Sequence, residues 1–265
     1  MNKKIYGWWP KSPKPGNMGD IITSLLVKKL FGIDLEWINK NHLPLTREEV
    51  LFGTGSIIGE TIDTSIVWGS GLISEYSANK ANSYAEYLAV RGPITRQLLL
   101  DKNIKVPEVY GDPGLLIKEI VDFKKKKSRY AYGIIPHYVD YNRVYSTYKN
   151  HKDIKVIDVL NSNPLVPIYE IMECEKTVAS SLHGIIFSHA VGISSAWVKF
   201  SDKLAGDNTK FFDYFSSVNL HKIKPVEFFE TKYMDNHLNK LYYSPPKDID
   251  LNPLLNAFKS RFMEL

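Results

Sequence analysis

The stretch VASSLHGIIFSHAVGI, residues 178–193, sets two serines, a leucine and His183 between an apolar strand-like run and an apolar run with helical spacing. A histidine at the start of a helix can act as a general acid or hold a phosphate, because its ordinary pKa lies near ~6.5. Ser180, Ser181 and Gly184 flank it, and the free N–H groups of a helix N-terminus suit an anion. The plainer reading of these residues is a capped turn in a buried core. His137 stands at a matching place, after YAYGIIP. Two histidines at equivalent strand ends favour a site over two unrelated structural residues. His189 lies six residues beyond His183 and off its helix face, so it reads as packing or surface.

The first half carries residues of the same kind. GNMGD brings Asn17, Gly19 and Asp20 to the mouth of a helix. Asp20 reads as a base or sugar ligand, or as an acid that the helix dipole favours in a first turn. GTGSIIG supplies Gly55 and Ser56, and WGSGL a further glycine pair. Glycine lets the backbone approach a ligand closely, although tight turns use it as well. Arg91 closes AEYLAVR. Its guanidinium could grip a carboxylate or phosphate through two parallel bonds, or form a surface salt bridge. Asp112 in GDPGLL reads equally as a helix cap and as a chemical group. GTGSIIG lacks the Lys-Ser/Thr of a phosphate-binding loop, and the first strand lacks GxGxxG. Without HxH, HExxH, GxSxG or a cysteine cluster, neither a metal site nor a serine nucleophile is expected.

These residues need elements to hold them. KKIYGWW reads as a strand and IITSLLVKKLFG as an amphipathic helix that stops at Gly32. DLEWI, EVLFGTG, SIVWGSG and AEYLAVR read as strands, and GPITRQLLLDKN as a helix with Pro93 in its first turn. EVYGDPGLL repeats strand, turn and helix. The basic run Lys124–Lys127 reads as a solvated linker. Beyond it the pattern restarts. RYAYGIIPH, IKVIDV, KTVAS and SSAWVKF read as strands. Helices follow them, including NPLVPIYEIMEC with Asn163 as cap, LHGIIFSHAVG, FFDYFSSV and the final DLNPLLNAFKSRFMEL. Such alternation predicts an α/β chain with parallel sheets, in two units at 1–127 and 128–265. Ligands would then bind between the units, beyond the carboxyl ends of the strands.

Composition narrows the class. A 44% apolar fraction with 24% charge over 265 residues is enough for a substantial core. A net charge of +5 spread along the chain argues weakly for nucleic acid and better for an anionic small ligand. The single cysteine, Cys174, falls in a helix-like segment and fits a reducing compartment. No apolar signal region or 18-residue apolar run is visible, so a cytoplasmic protein is expected.

Taken in order, NMGD, GTGS, VRGPITRQLL, YGDPGLL, IPH and SSLHGIIFSHAVGI resemble the polysaccharide pyruvyl transferase family over roughly residues 5–220. The resemblance implies two Rossmann-like domains facing a cleft, similar to the glycosyltransferase B architecture. It implies transfer of the pyruvyl group of phosphoenolpyruvate to sugar hydroxyls of an exopolysaccharide or capsule glycan, with no cofactor beyond that co-substrate. It puts His183 on the donor phosphate or in the role of proton source, and for that reaction the residues themselves offer Asp20 as the candidate base or sugar ligand. Arg91, Ser180, Ser181, His137, Gly184 and Lys210 would take the donor. Asn17, Gly19, Gly55, Ser56 and Asp112 would take a glycan or lipid-linked acceptor, met at the inner membrane face. Many members have arginine two residues before the histidine, where this chain has Ser181. His137, Lys199 and Lys210 are the candidate replacements, or the donor differs. Two other functions fit the same architecture: a glycosyltransferase using a nucleotide sugar, and a glycan- or anion-binding relative without turnover.

Overall fold

The computed structural model describes residues 5–11, 13–14, 16–122 and 128–263. The basic run at Lys124–Lys127 lies outside them. The chain forms two five-stranded sheets, parallel throughout, with helices on their faces. This is a mixed α/β architecture consistent with a two-domain, glycosyltransferase B-like fold. Among the described residues no helix is long and apolar enough to cross a membrane.

The first sheet holds β1 (Ile5–Gly7), β2 (Leu35–Trp37), β3 (Val50–Phe52), β4 (Ser65–Trp68) and β5 (Glu86–Ala89), ordered β2-β1-β3-β4-β5. The second holds β6 (Tyr130–Ile135), β7 (Ile154–Val156), β8 (Cys174–Ala179), β9 (Ser195–Lys199) and β10 (Val226–Glu227), ordered β10-β9-β8-β6-β7. The two orders are the same winding. In each, the first strand lies between the second and the third, so the winding reverses beside it. In open α/β sheets ligands bind at such a reversal, outside the carboxyl ends of the strands. The first reversal lies between β1 and β3, and the second between β6 and β8.

Local chemistry sets the helix ends. Helix α1 (Met18–Phe31) starts where the Asn17 side chain accepts from the Gly19 N–H at 3.0 Å. It stops at Gly32, whose φ of 74° is cheap only for glycine. Helix α2 (Pro93–Leu100) follows β5, while α3 (Tyr141–Tyr148), α4 (Leu165–Met172), α5 (Leu182–Ala190) and α6 (Thr209–Ser217) serve the second sheet. The Asn163 side chain accepts the Leu165 N–H at 3.0 Å, which is the expected cap of α4. The last helix, α7 (Asn252–Phe262), returns to the first sheet. There Phe258 stacks on Phe31 at 4.2 Å, and Trp68 Nε1 donates to the Leu254 carbonyl at 2.8 Å.

Two expectations are corrected. GDPGLL opens a 3₁₀ segment, Pro113–Glu119, rather than an α-helix. The strand expected before it is a single bridge, Val90 to Tyr110. Cys174 opens β8 instead of closing a helix. It is buried, its Sγ–H donates to the Glu170 carbonyl, and burial pushes the thiol up to about 12, so it is chemically inert.

Carboxyl-end loops of the two sheets meet. The Met18 N–H donates to Val159 O at 2.8 Å, and the Glu75 N–H to Asp207 Oδ2 at 3.1 Å. One apolar core runs through the joint, from Met18, Ile22 and Trp68 through Leu116 to Ile185, Phe187 and Phe211. Burying it fixes the two sheets as one packed body.

Candidate active site between the two sheets

His183 is delivered by the second reversal. β8 ends at Ala179, Ser181 takes extended geometry as the N-cap of α5, and His183 falls in the first turn. Gly184 lets this helix lie close on the sheet, since a Cβ there would come 2.8 Å from Ile135 Cγ2 and 3.1 Å from Ala179 Cβ. Its side is therefore a packing side and not the ligand-facing one expected from sequence. Ser180 ties the reversal together: its N–H donates to Ile135 O at 3.2 Å, and its Oγ accepts the His137 N–H at 2.9 Å. Ser181 is buried beside it.

The His183 ring crosses to the first sheet. It packs over Gly19, where a Cβ would stand 1.8 Å from Nδ1. It also stacks on Phe187 at 5.8 Å. Its Nε2 lies 3.8 Å from Asp112 Oδ2, and neither atom has a hydrogen-bond partner. Asp112 answers to both sequence readings. Oδ1 caps the 3₁₀ segment by accepting the Gly114 N–H at 2.8 Å, while Oδ2 is left for the histidine.

Gly19 therefore has a sharp consequence. Gly19→Ala would drive a methyl into the imidazole, so the ring or the start of α1 must move. A lowered melting temperature is expected, with the far-ultraviolet circular dichroism of the native chain retained.

Arg91 is 0% exposed, which excludes the surface salt bridge. Nε donates to Asp213 Oδ2 at 3.0 Å, Nη1 to Ser56 Oγ at 2.6 Å and Nη2 to Leu72 O at 2.8 Å. Asp213, on α6, also accepts the Thr95 N–H and hydroxyl at 2.8 and 2.7 Å. The arginine thus joins β5 to α6 and delivers its charge from behind the site. Ser56 takes part as its acceptor, and no direct ligand contact follows from that bond.

Lys210, in the first turn of α6, is the second cation. Burial and the Arg91 charge push its ammonium down to about 8, while Asp20 pulls the other way. Burial, then Arg91 and Lys210, push His183 down to about 3. Burial and Lys210 push His137 down to about 4, and its Nδ1 is also buried without a partner. Lys199 closes β9, but Lys210 is the lysine whose charge reaches both histidines.

Asp20 points at the GTGS loop: a Cβ on Gly55 would lie 2.9 Å from its Oδ1, and Gly55 takes φ of 108°. Burial raises this carboxyl to about 7, with Asp112 adding to the rise and Lys210 opposing it. The dipole benefit to a first-turn acid is about 0.3–1 kcal/mol. Burial outweighs it, so the dipole alone does not explain this residue. Asp112 is raised to about 6, chiefly by burial.

The site thus gathers two carboxyls that titrate near neutrality, two neutral imidazoles and two cations. Arg91 is already paired with Asp213, so an anion entering here would chiefly offset the charge of Lys210. That would raise the proton affinity of His183, whose imidazolium Asp112 Oδ2 faces. His189 takes no part: it bonds Tyr214 Oη at 2.9 Å and Ser244 O at 3.0 Å in the core. Sequence reading missed Asp213 and Thr95. The one available signal was an acid inside the aromatic helix FFDYF.

A family model described as polysaccharide pyruvyl transferase matches residues 47–201. That span carries Gly55, Ser56, Arg91, Asp112, His137 and His183. An uncharacterized protein of Acanthamoeba polyphaga mimivirus is 32% identical over 254 residues, covering 92% of this chain and 85% of that protein.

Proposed function

Because the chain belongs to the polysaccharide pyruvyl transferase family, we propose that it moves the pyruvyl group of phosphoenolpyruvate onto two hydroxyls of a glycan, forming a cyclic ketal and releasing phosphate. One observation carries the reading: His183 Nε2 and Asp112 Oδ2 face each other unpartnered at 3.8 Å, under the charges of Arg91 and Lys210. Phosphoenolpyruvate brings the negative charge that this arrangement lacks.

In the proposed reaction the donor phosphate and carboxylate bind at Lys210, at the N-terminus of α5 with Ser180 and Ser181, and beside His137. Lys210 takes the role of the arginine that Ser181 replaces. The bound charge raises His183, which protonates C3 of the enol. Positive character develops at C2, and a sugar hydroxyl attacks there as Asp20 takes its proton. The C2–O bond to phosphate breaks, and the second hydroxyl closes the ring. One hydroxyl proton balances the C3–H bond, and the other leaves with phosphate. The charges are protein groups, and the donor is a co-substrate, so the scheme includes no resident cofactor. The reading includes a cytoplasmic enzyme meeting a glycan or lipid-linked acceptor at the inner membrane face, where a net charge of +5 suits anionic lipid.

The pH profile of kcat/KM reports the free enzyme. The free enzyme must have Asp20 ionised, which happens above about 7, and His183 protonated, which happens below about 3. Between these values the two requirements offset each other, so the profile is level there and falls as pH rises through about 7. Lys210 must be charged to hold the donor, so the fall steepens as pH rises through about 8. Lys210→Arg should remove that steepening, because arginine stays protonated. Unchanged steepening in that variant would remove Lys210 from the donor site.

A further inference from the structure

A cavity of about 550 Å³ opens at the first reversal, separate from the histidine cluster, and three of the chain's five tryptophans line it. Trp8 and Trp9 follow β1, Trp37 closes β2, and Ser56 and Ile57 follow β3. Its placement is the one that the winding of the sheet assigns to a ligand. Polar groups stand among the indoles. Asn39, Ser77 and Glu60 line the cavity, Lys40 pairs with Glu60 at 2.8 Å, and Lys11 Nζ lies 3.9 Å from the Trp37 ring centre. Trp8 Nε1 is buried and has no partner, a donor left open in a chain where Trp37 Nε1 bonds Trp9 O at 3.0 Å.

We propose that this cavity holds a pyranose unit of the acceptor glycan, an assignment that rests on the pyruvyl transfer reading above. Trp8 and Trp9 are buried, so the half-buried Trp37, with Lys11 over its ring, is the aromatic surface that a pyranose would meet, and the polar groups around it would meet the hydroxyls. Aromatic rings with an apolar body and a polar handle suit such a ligand. The cavity shares one wall residue with the groups that hold the histidine cluster. Ser56 forms its wall and accepts from Arg91, while Gly55 beside it packs on the Asp20 carboxyl. A sugar seated here would therefore lie on the same loop, Gly55 and Ser56, that packs on the residue assigned as base. The roles divide by sheet, with the acceptor at the first reversal and the donor at the second. Ser56 would line the acceptor seat, whereas Asn17, Gly19 and Asp112 serve the donor-side cluster.

The test uses intrinsic tryptophan fluorescence of the full chain, titrated with a panel of methyl pyranosides and short oligosaccharides. Quenching by at least one is expected. Trp37→Ala should weaken that binding about tenfold, or ~1.4 kcal/mol, and Trp37→Phe should restore most of it. Heat-shift stabilisation by phosphoenolpyruvate should persist in both variants, which also shows that they are folded. In turnover, Trp37→Ala should raise KM for the acceptor and leave KM for phosphoenolpyruvate unchanged. The binding arm does not depend on catalysis: quenching without pyruvyl transfer would defeat the reaction assignment and keep the sugar seat. Quenching by nucleoside diphosphates but by no glycoside would overturn the sugar seat, as would glycoside binding indifferent to Trp37→Ala.

Discussion

Replacing His183 with alanine is expected to lower kcat for pyruvyl transfer by about 10²–10⁴-fold, the usual contribution of a positioned acid. The geometry makes the effect specific. The ring is only 7% exposed, lies over Gly19 and ends 3.8 Å from an unpartnered oxygen of Asp112. The ring is held neutral, since burial, then Arg91 and Lys210, push it down to about 3. In the proposed reaction it becomes an acid when the donor's negative charge offsets those cations. Loss of the ring therefore removes a proton donor and leaves the cation pair in place. Phosphoenolpyruvate should still stabilise the variant in a heat-shift assay, and steady-state kinetics should show the loss mainly in kcat. Near-normal turnover would remove His183 from the chemistry.

Asp213→Ala is expected to be the most damaging single change to stability. Asp213 and Arg91 are both 0% exposed and 3.0 Å apart. Removing one partner of a buried pair leaves the other charge uncompensated, at a cost of about 3–5 kcal/mol. The same carboxylate accepts two bonds from Thr95, so three donors on the first sheet side lose their acceptor together. For a chain of this size the melting temperature should fall by roughly 10 °C. Asp213→Asn should fall less, because its carbonyl oxygen can still accept one of these bonds. A melting temperature within a degree or two of the native chain for Asp213→Ala would show that the joint is held by its apolar core alone.

The parts of this molecule that were legible in sequence are those where a strand hands over to a helix. SSLHG, VRGP and GNMGD each combine an apolar run, a turn residue and a polar group within a few positions. That local signal located His183, Arg91 and Asp20, and the alternation around them gave two parallel sheets. What stayed hidden is set by contacts between distant segments. Asp213 meets Arg91 across 122 residues, and nothing in FFDYF says which partner it faces. Asp112 read as either a cap or a reactive group because its two oxygens do different work. Gly184 read as part of a ligand loop, although the crowding of Ile135 turns it towards the sheet. Trp37 was visible only as part of a strand, and it gains its meaning from Trp8 and Trp9, brought beside it by the pairing of β1 with β2.

The decisive measurement is mass spectrometry of a glycan panel incubated with the protein and carbon-13-labelled phosphoenolpyruvate, with phosphate release followed in parallel. The arrangement of His183, Asp112, Asp20 and Lys210 predicts a product that carries the whole labelled pyruvyl group as a ketal, one phosphate released per ketal formed, and both slowed by about 10²–10⁴-fold with His183→Ala. Label confined to unreacted donor while the same panel accepts a sugar from a nucleotide sugar would contradict it.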